Sequence, residues 1–255
     1  MAVRDQAICL RATDYSETSQ VVHFLTRAEG VVRLIAKGSK RKKSKSGGAI
    51  DLMSEGDLVY IDRPGGALGT LTEFHESVSH LAVRGSSARL NAALYLLELT
   101  GRMLPEGDPH PRVFDLLHNA LGRLGDADAP VGAVVAFFQW RLLRHAGLLG
   151  PMDACMACGL DLHAPAGPVH FSSAAGGLIC DTCRAEQREK VRVSAQALAG
   201  LDVLRRVSAG ERTNFQDDSA LAVNRLLAYH VACQLGRPLR MARHVMGKST
   251  PEKGR

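Results

Sequence analysis

The sequence predicts an α+β chain of several domains, in which a small closed β-barrel precedes a helical bundle interrupted by a four-cysteine module. Three observations predict this. Apolar residues recur at a period close to two up to about residue 80, and at a period near 3.6 after residue 84. Two CxxC pairs then stand between the third and fourth helical segments. With 255 residues, 45% hydrophobic and 23% charged, the chain can build a core and is not disordered as a whole.

The strands come first. AICLRA, QVVHFLT, VVRLIA, DLVYID and LGTLTEF are short apolar-rich runs. Asp14-Tyr-Ser-Glu17, Glu29-Gly30, a basic run ending in Gly47-Gly48, and Arg63-Pro64-Gly65-Gly66 separate them. Five short strands in about 75 residues suit a strongly curled barrel, because closure removes the unpaired sheet edges.

The helices follow. Leu90, Leu94, Leu97 and Leu104 mark one face of a helix starting near Ser86-Ser87 and ending before Pro105. Val113, Leu116, Leu117, Leu121 and Leu124 mark the next. Val131 to His145 is apolar nearly all round and reads as a buried helix. Ser194 opens a fourth helix with Leu198, Leu201 and Leu204 inward, and a fifth opens near Asp218 with Leu221, Leu226 and Leu227 inward and stops at Gly236.

Between the third and fourth helices, Cys155-Met-Ala-Cys158 is followed after 21 residues by Cys180-Asp-Thr-Cys183. A CxxC turn aims two thiolates at one point, and two such turns close a tetrahedron. The separation is one residue longer than usual for this pattern. Zinc is the first reading, with iron or a redox dithiol as alternatives, and four thiolates leave no open position, so the role is structural. His163 and His170 in the same loop read as surface residues, Cys9 and Cys233 as packing or surface thiols.

Charge is concentrated in one place. Lys37, Lys40, Arg41, Lys42, Lys43 and Lys45 fall in nine residues, and the chain's net charge is +6, so the rest of it is neutral. Residues 1–80 hold 11 basic and 10 acidic side chains. The run is placed between the third and fourth strands, where its Gly and Ser spacing predicts a mobile loop that spreads cations along a phosphate backbone. Tyr15, Phe24, Tyr60 and Phe74 are the barrel's only aromatic residues and some must be core, so binding is expected to be driven by the backbone and indifferent to sequence.

Several classes are disfavoured. HExxH, GxSxG, GxGxxG and the P-loop pattern are missing, and His75-Glu76 with His80 is one residue too long for the first, which points to a binding protein rather than an enzyme. No apolar stretch approaches the roughly 18 residues of a membrane span, and the N-terminus has charges where a signal peptide is apolar. A cytoplasmic, nucleoid-associated location with no membrane partner is expected. A sequence-specific zinc-ribbon regulator is the alternative, but none of the predicted helices presents a basic N-terminal face for base reading.

Three segments together, ICLRATDYSETSQVVHFLTRAEGVVRLIAKGSKRKKS, FFQWRLLRHAGLLGPMDACMACG and LLAYHVACQLGRPLRMARHV, resemble the RecO family of bacterial recombination mediators over about residues 1–246. The resemblance implies an OB-fold at residues 1–80 and a helical domain at 81–150 and 191–246, with a zinc-binding ribbon at 151–190, while the tail at 247–255 falls outside it and is expected to be disordered as a chain terminus. It implies a protein without enzymatic activity that binds single- and double-stranded DNA and anneals complementary strands. With RecR, such a protein helps RecA load onto DNA coated by single-strand binding protein. It assigns DNA contacts to Lys37, Lys40, Arg41, Lys42, Lys43 and Lys45, with Arg11 and Arg33 weaker, and structural zinc to Cys155, Cys158, Cys180 and Cys183. It puts the C-terminal tail of single-strand binding protein on the helical domain, where Arg141, Arg144, Arg205 and Arg206 are the candidate cations.

Overall fold

A computed structural model describes residues 2–41, 44, 48–63, 68–208, 210 and 214–247. Lys42, Lys43 and Lys45 of the basic run, and the tail from residue 248, lie outside the described residues.

The first 78 residues form the barrel. Strands β1 (Ala2–Asp14), β2 (Gln20–Thr26), β3 (Gly30–Ala36), β4 (Glu55–Ile61) and β5 (Gly69–Val78) close in the order β1-β2-β3-β5-β4. Neighbours are antiparallel except β3 and β5, which meet in parallel through Leu34↔Gly69 and Ile35↔Thr70. This is the five-stranded Greek-key barrel of the OB-fold. β1 is twice as long as its apolar run because it serves two neighbours. Ala2–Ile8 pairs with β4, and Ala7–Asp14 pairs with β2 through a register shift between Cys9 and Arg11. Its first residues, AVRDQ, alternate in exposure without being apolar, so hydrophobic periodicity passes over them.

Ala7, Cys9, Val22, Phe24, Leu34, Leu58, Tyr60, Leu71 and Phe74 fill the barrel, with the rings of Phe24 and Phe74 5.2 Å apart. Burial pushes the Cys9 thiol up to about 12, as befits a packing residue. Ile8 and Leu10 alternate with these residues and are buried too, because helix α1 (Ser87–Met103) packs on β1. Helix α2 (Pro111–Gly125) packs on α1 and β2. α1 is therefore covered on more than one face, with Tyr95, Leu96 and Leu99 fully buried and Leu90 and Leu94 only half so.

By packing, the chain divides into two compact units, Met1–Ala129 and Pro130–Arg255. Packing thus groups α1 and α2 with the barrel, whereas the boundary expected at residue 80 follows the change from strands to helices. A periodic pattern reveals that a helix has an apolar face but not which surface covers it.

In the second unit, α3 (Val131–His145), α4 (Ala195–Ser208) and α5 (Asp217–Leu235) pack on one another, and a short α6 (Ala242–Val245) follows. α3 is the buried helix that its sequence predicts, with Phe138, Trp140, Leu142 and Leu143 at most 1% exposed. Its buried Gln139 donates to Asn224 Oδ1 at 2.7 Å, and Asn224 Nδ2 donates to the Gly132 carbonyl at 2.8 Å, so neither amide is left unsatisfied against α5. Gly200 lets α4 approach α5, since a Cβ there would stand 2.7 Å from the Ser219 carbonyl oxygen. The Ser194 hydroxyl caps α4 by accepting from the Ala197 amide.

The cysteine-bearing segment is a three-stranded sheet, β7-β6-β8, made of β6 (Val169–Ser172), β7 (Gly177–Cys180) and β8 (Lys190–Arg192). His230 of α5 anchors it. His230 Nε2 donates to the Leu148 carbonyl at 2.9 Å, so the ring is held as the tautomer whose Nδ1 accepts from the Ser173 hydroxyl at 2.8 Å. The Phe171 ring meets the His230 ring edge-on at 5.2 Å.

Candidate nucleic-acid interface and four-cysteine centre

The basic run leaves the barrel directly after β3, as its position between two strand runs predicts. Its first half is not a solvated linker. Gly38, at φ 68°, turns the chain, its amide donates to the Ser19 hydroxyl, and the Arg41 amide donates to the Gly38 carbonyl. Ser39, expected to keep the loop flexible, is 2% exposed and donates to Gln20 Oε1 at 3.0 Å. The same oxygen accepts from the Ile50 amide at 2.9 Å, while Gln20 Nε2 donates to the Ile50 carbonyl at 3.1 Å. One buried glutamine thus ties both ends of the β3–β4 loop to β2. Composition hides this, because a serine among lysines reads as a spacer.

The consequence is a preformed groove. Tyr15, Ser16, Thr18 and Ser19 from the β1–β2 loop face Ile35, Lys37, Gly38 and Arg41 across a volume of about 360 Å³. Tyr15 is 66% exposed, whereas Phe24, Tyr60 and Phe74 are buried. An exposed ring beside two cations is the combination that stacks a base and neutralises phosphates. Tyr15 was visible in the sequence as one of four aromatics, but exposure alone distinguishes it.

Lys40 is less available, since its ammonium pairs with Asp14 at 2.6 Å. Arg11 and Arg33 are brought together on the sheet, each in register with His23 of β2. Burial first, then the two guanidiniums, hold the His23 imidazole below its usual range. Arg33 also pairs with Glu106 at 3.2 Å.

The four candidate cations of the second unit differ from one another. Arg141 and Arg144 lie over the rings of Phe137 and Trp140, at 4.9 and 5.5 Å from their centres. Arg141 Nε is buried with no hydrogen-bond partner among the described residues. Arg205 pairs with Asp202 at 2.8 Å and Arg206 approaches the same carboxylate at 3.9 Å, so part of their charge is already met.

The four cysteines converge as their spacing predicts. All four sulfurs lie within 4.8 Å of one another, and Cys158 Sγ is 3.8 Å from Cys180 Sγ. A tetrahedron with bonds of about 2.3 Å has edges of about 3.8 Å, whereas a disulfide needs about 2.05 Å, so the set fits a tetrahedral thiolate-bound ion. The Cys180 amide points at Cys155 Sγ from 3.3 Å. Burial opposes ionisation of Cys155, but this amide and those of Cys158 and Ala157 outweigh it and bring the thiol down to about 6. His163 is exposed beside Asp161, as expected, but His170 is 7% exposed. It sits on the central strand of the ribbon, where burial holds its imidazole low. Neither histidine belongs to the sulfur cluster.

Comparison with known proteins agrees with this layout. The family model described as Recombination protein O N terminal matches residues 1–77, and Recombination protein O C terminal matches residues 84–243. The DNA repair protein RecO of Myxococcus xanthus is 31% identical over 236 residues, 92% of this chain and 93% of its own length. That of Geobacter metallireducens is 31% identical over 240 residues, 93% of this chain and 94% of its own. The Rhodopirellula baltica protein is 33% identical over 195 residues, covering 76% and 72%.

Proposed function

Since the chain belongs to the RecO family of DNA repair proteins, we propose that it is a recombination mediator which binds single- and double-stranded DNA with little sequence preference and anneals complementary strands. With RecR, it helps RecA load onto DNA coated by single-strand binding protein. The groove between Tyr15 and the Lys37–Arg41 turn carries this reading. Its cations face the phosphates and its one exposed ring offers a stacking surface that every base can use. Lys40, Lys42, Lys43 and Lys45 extend the same charge, and Arg11 and Arg33 add a second, partly countered patch. Neutralised strands repel each other less, which is what annealing asks of a protein that performs no chemistry of its own.

Zinc at Cys155, Cys158, Cys180 and Cys183 supplies a cross-link. The ribbon's strands are only three or four residues long, and four thiolates on one ion hold its two knuckles together. Four thiolates leave the ion no open position, so its role is structural, within the second unit.

For the acidic tail of single-strand binding protein, Arg141 and Arg144 are favoured over Arg205 and Arg206. The first two already lie on aromatic surface, the second two on a carboxylate.

The reading is tested by gel shift with unrelated single strands together with an annealing time course. A mediator binds all strands alike and accelerates annealing. Selection of one duplex, or consumption of the strand, would overturn it. Arg141→Glu and Arg144→Glu are expected to weaken binding of a tail peptide while leaving naked-DNA affinity in place.

A further inference from the structure

Glu55 opens β4 as a buried carboxylate, 7% exposed, on the outside of the barrel's apolar core. An isolated carboxylate in that position costs several kcal/mol, so its partners matter. Both are histidines. His80, 8% exposed and just before the 3-10 turn Leu81–Gly85, places Nε2 2.9 Å from Glu55 Oε2. His118 of α2 places Nδ1 2.7 Å from Glu55 Oε1. The two rings stand edge to face with centres 6.3 Å apart, and the three donor atoms lie within 4.8 Å of one another. Burial opposes the charge on Glu55, but the two imidazoles outweigh it and hold the carboxyl below its usual value.

We propose that Glu55, His80 and His118 form a second divalent metal site, of the zinc class, distinct from the four cysteines. Two imidazoles and one carboxylate are a known three-ligand set for zinc with a fourth position for water. Carboxylate and imidazole oppose the soft-thiolate preferences of the ribbon centre and accept zinc, cobalt or nickel. The fourth position is reachable, because His80 also lines an open groove of about 330 Å³ with Ser54, Asp51 and Arg84, and the His118 side chain is 43% exposed.

The change needed is small. In the hydrogen-bonded arrangement each imidazole donates N–H to Glu55. A metal takes those nitrogens as lone-pair donors, so in a neutral ring the proton moves to the other nitrogen, and a ring protonated on both nitrogens releases one proton to solvent. Tetrahedral ligands at about 2.0–2.1 Å stand about 3.4 Å apart, so the two hydrogen-bonded contacts of 2.9 and 2.7 Å must open by about 0.5–0.7 Å, and the half-exposed His118 ring has room to move. The ion would join β4, the segment after β5 and α2, stapling the helical layer to the barrel within the first unit. This site rests on the three side chains alone and not on DNA binding, so the two readings fail separately.

The test is the metal content of full-length protein dialysed against zinc and desalted, read by elemental analysis, with cobalt substitution read by absorption. The parent is expected to hold two ions per chain, and His118→Ala and Glu55→Gln one. With cobalt, thiolate-to-metal charge-transfer bands should persist in both variants while the weaker bands of the nitrogen and oxygen site disappear. His118 is half exposed, so its loss spares the fold, and a circular dichroism spectrum matching the parent's checks this. One ion per chain in the parent would overturn the proposal and leave the triad as a hydrogen-bonded clasp. So would two ions that survive both substitutions.

Discussion

Gln20→Ala separates loop geometry from loop charge. Gln20 is 5% exposed and makes three hydrogen bonds, to Ser39, to the Ile50 amide and to the Ile50 carbonyl. Removing it leaves three buried polar groups, each costing about 1–3 kcal/mol when unsatisfied. Water entering the vacated space meets part of that need, so a loss of about 2–4 kcal/mol is expected. At a urea dependence of about 2 kcal/mol per molar, the unfolding midpoint of the first unit falls by about 1–2 M. No charge is removed, so the salt dependence of DNA binding should be retained. Affinity should fall by about 2–10-fold, because the Lys37–Arg41 turn must be ordered on binding. Urea titration and fluorescence anisotropy with a labelled oligonucleotide at several salt concentrations read both. A midpoint equal to the parent's would refute the staple, and a flattened salt slope would show that the substitution had removed phosphate contacts instead.

Other expectations concern separate parts of the molecule. Cys155→Ser or Cys180→Ser should release the ribbon's zinc and lower thermal stability of the second unit while the barrel's circular dichroism persists, which metal analysis with a melt would check. Tyr15→Ala should cost about 1–3 kcal/mol of single-strand affinity with an unchanged salt slope, measured by anisotropy, if the ring stacks on a base. Acid should weaken the second unit through His230, whose burial lowers its pKa from 6.5. The unfolded chain then binds the proton more readily, so stability is full above about 6.5 and falls as pH drops below it, by at most about 1.4 kcal/mol per pH unit for one group. His230→Gln should flatten that loss between pH 7 and 5 in denaturant titrations.

The parts that were legible in sequence are those set by local pattern. Phe24, Leu34, Leu58 and Phe74 alternate along strands, and α3 is apolar all round, so both elements announce themselves. The four cysteines do so because two turns of fixed spacing must aim at one point. Residues that act across the fold did not. Gln20 is an ordinary polar residue until Ser39 and Ile50 are seen to meet it. His80 reads locally as a failed partner of His75-Glu76, yet its carboxylate is Glu55, 25 residues away, and His118 is 63 residues from Glu55. His170 reads as surface because histidine is polar, whereas pairing on both sides in the ribbon buries it.

Whether the Tyr15 groove and its basic loop form the DNA path is read from the salt dependence of binding to random single strands. The comparison is between the parent and a chain in which Lys37, Lys40, Arg41, Lys42, Lys43 and Lys45 are all Gln. At about −0.7 per phosphate contact, six contacts contribute about −4 to the slope of log K against log salt, and the pairing of Lys40 with Asp14 trims that figure. A slope flattened by about 3–4, equally for unrelated sequences, is expected in a protein that still folds. An unchanged slope would contradict this and move the DNA path off the barrel.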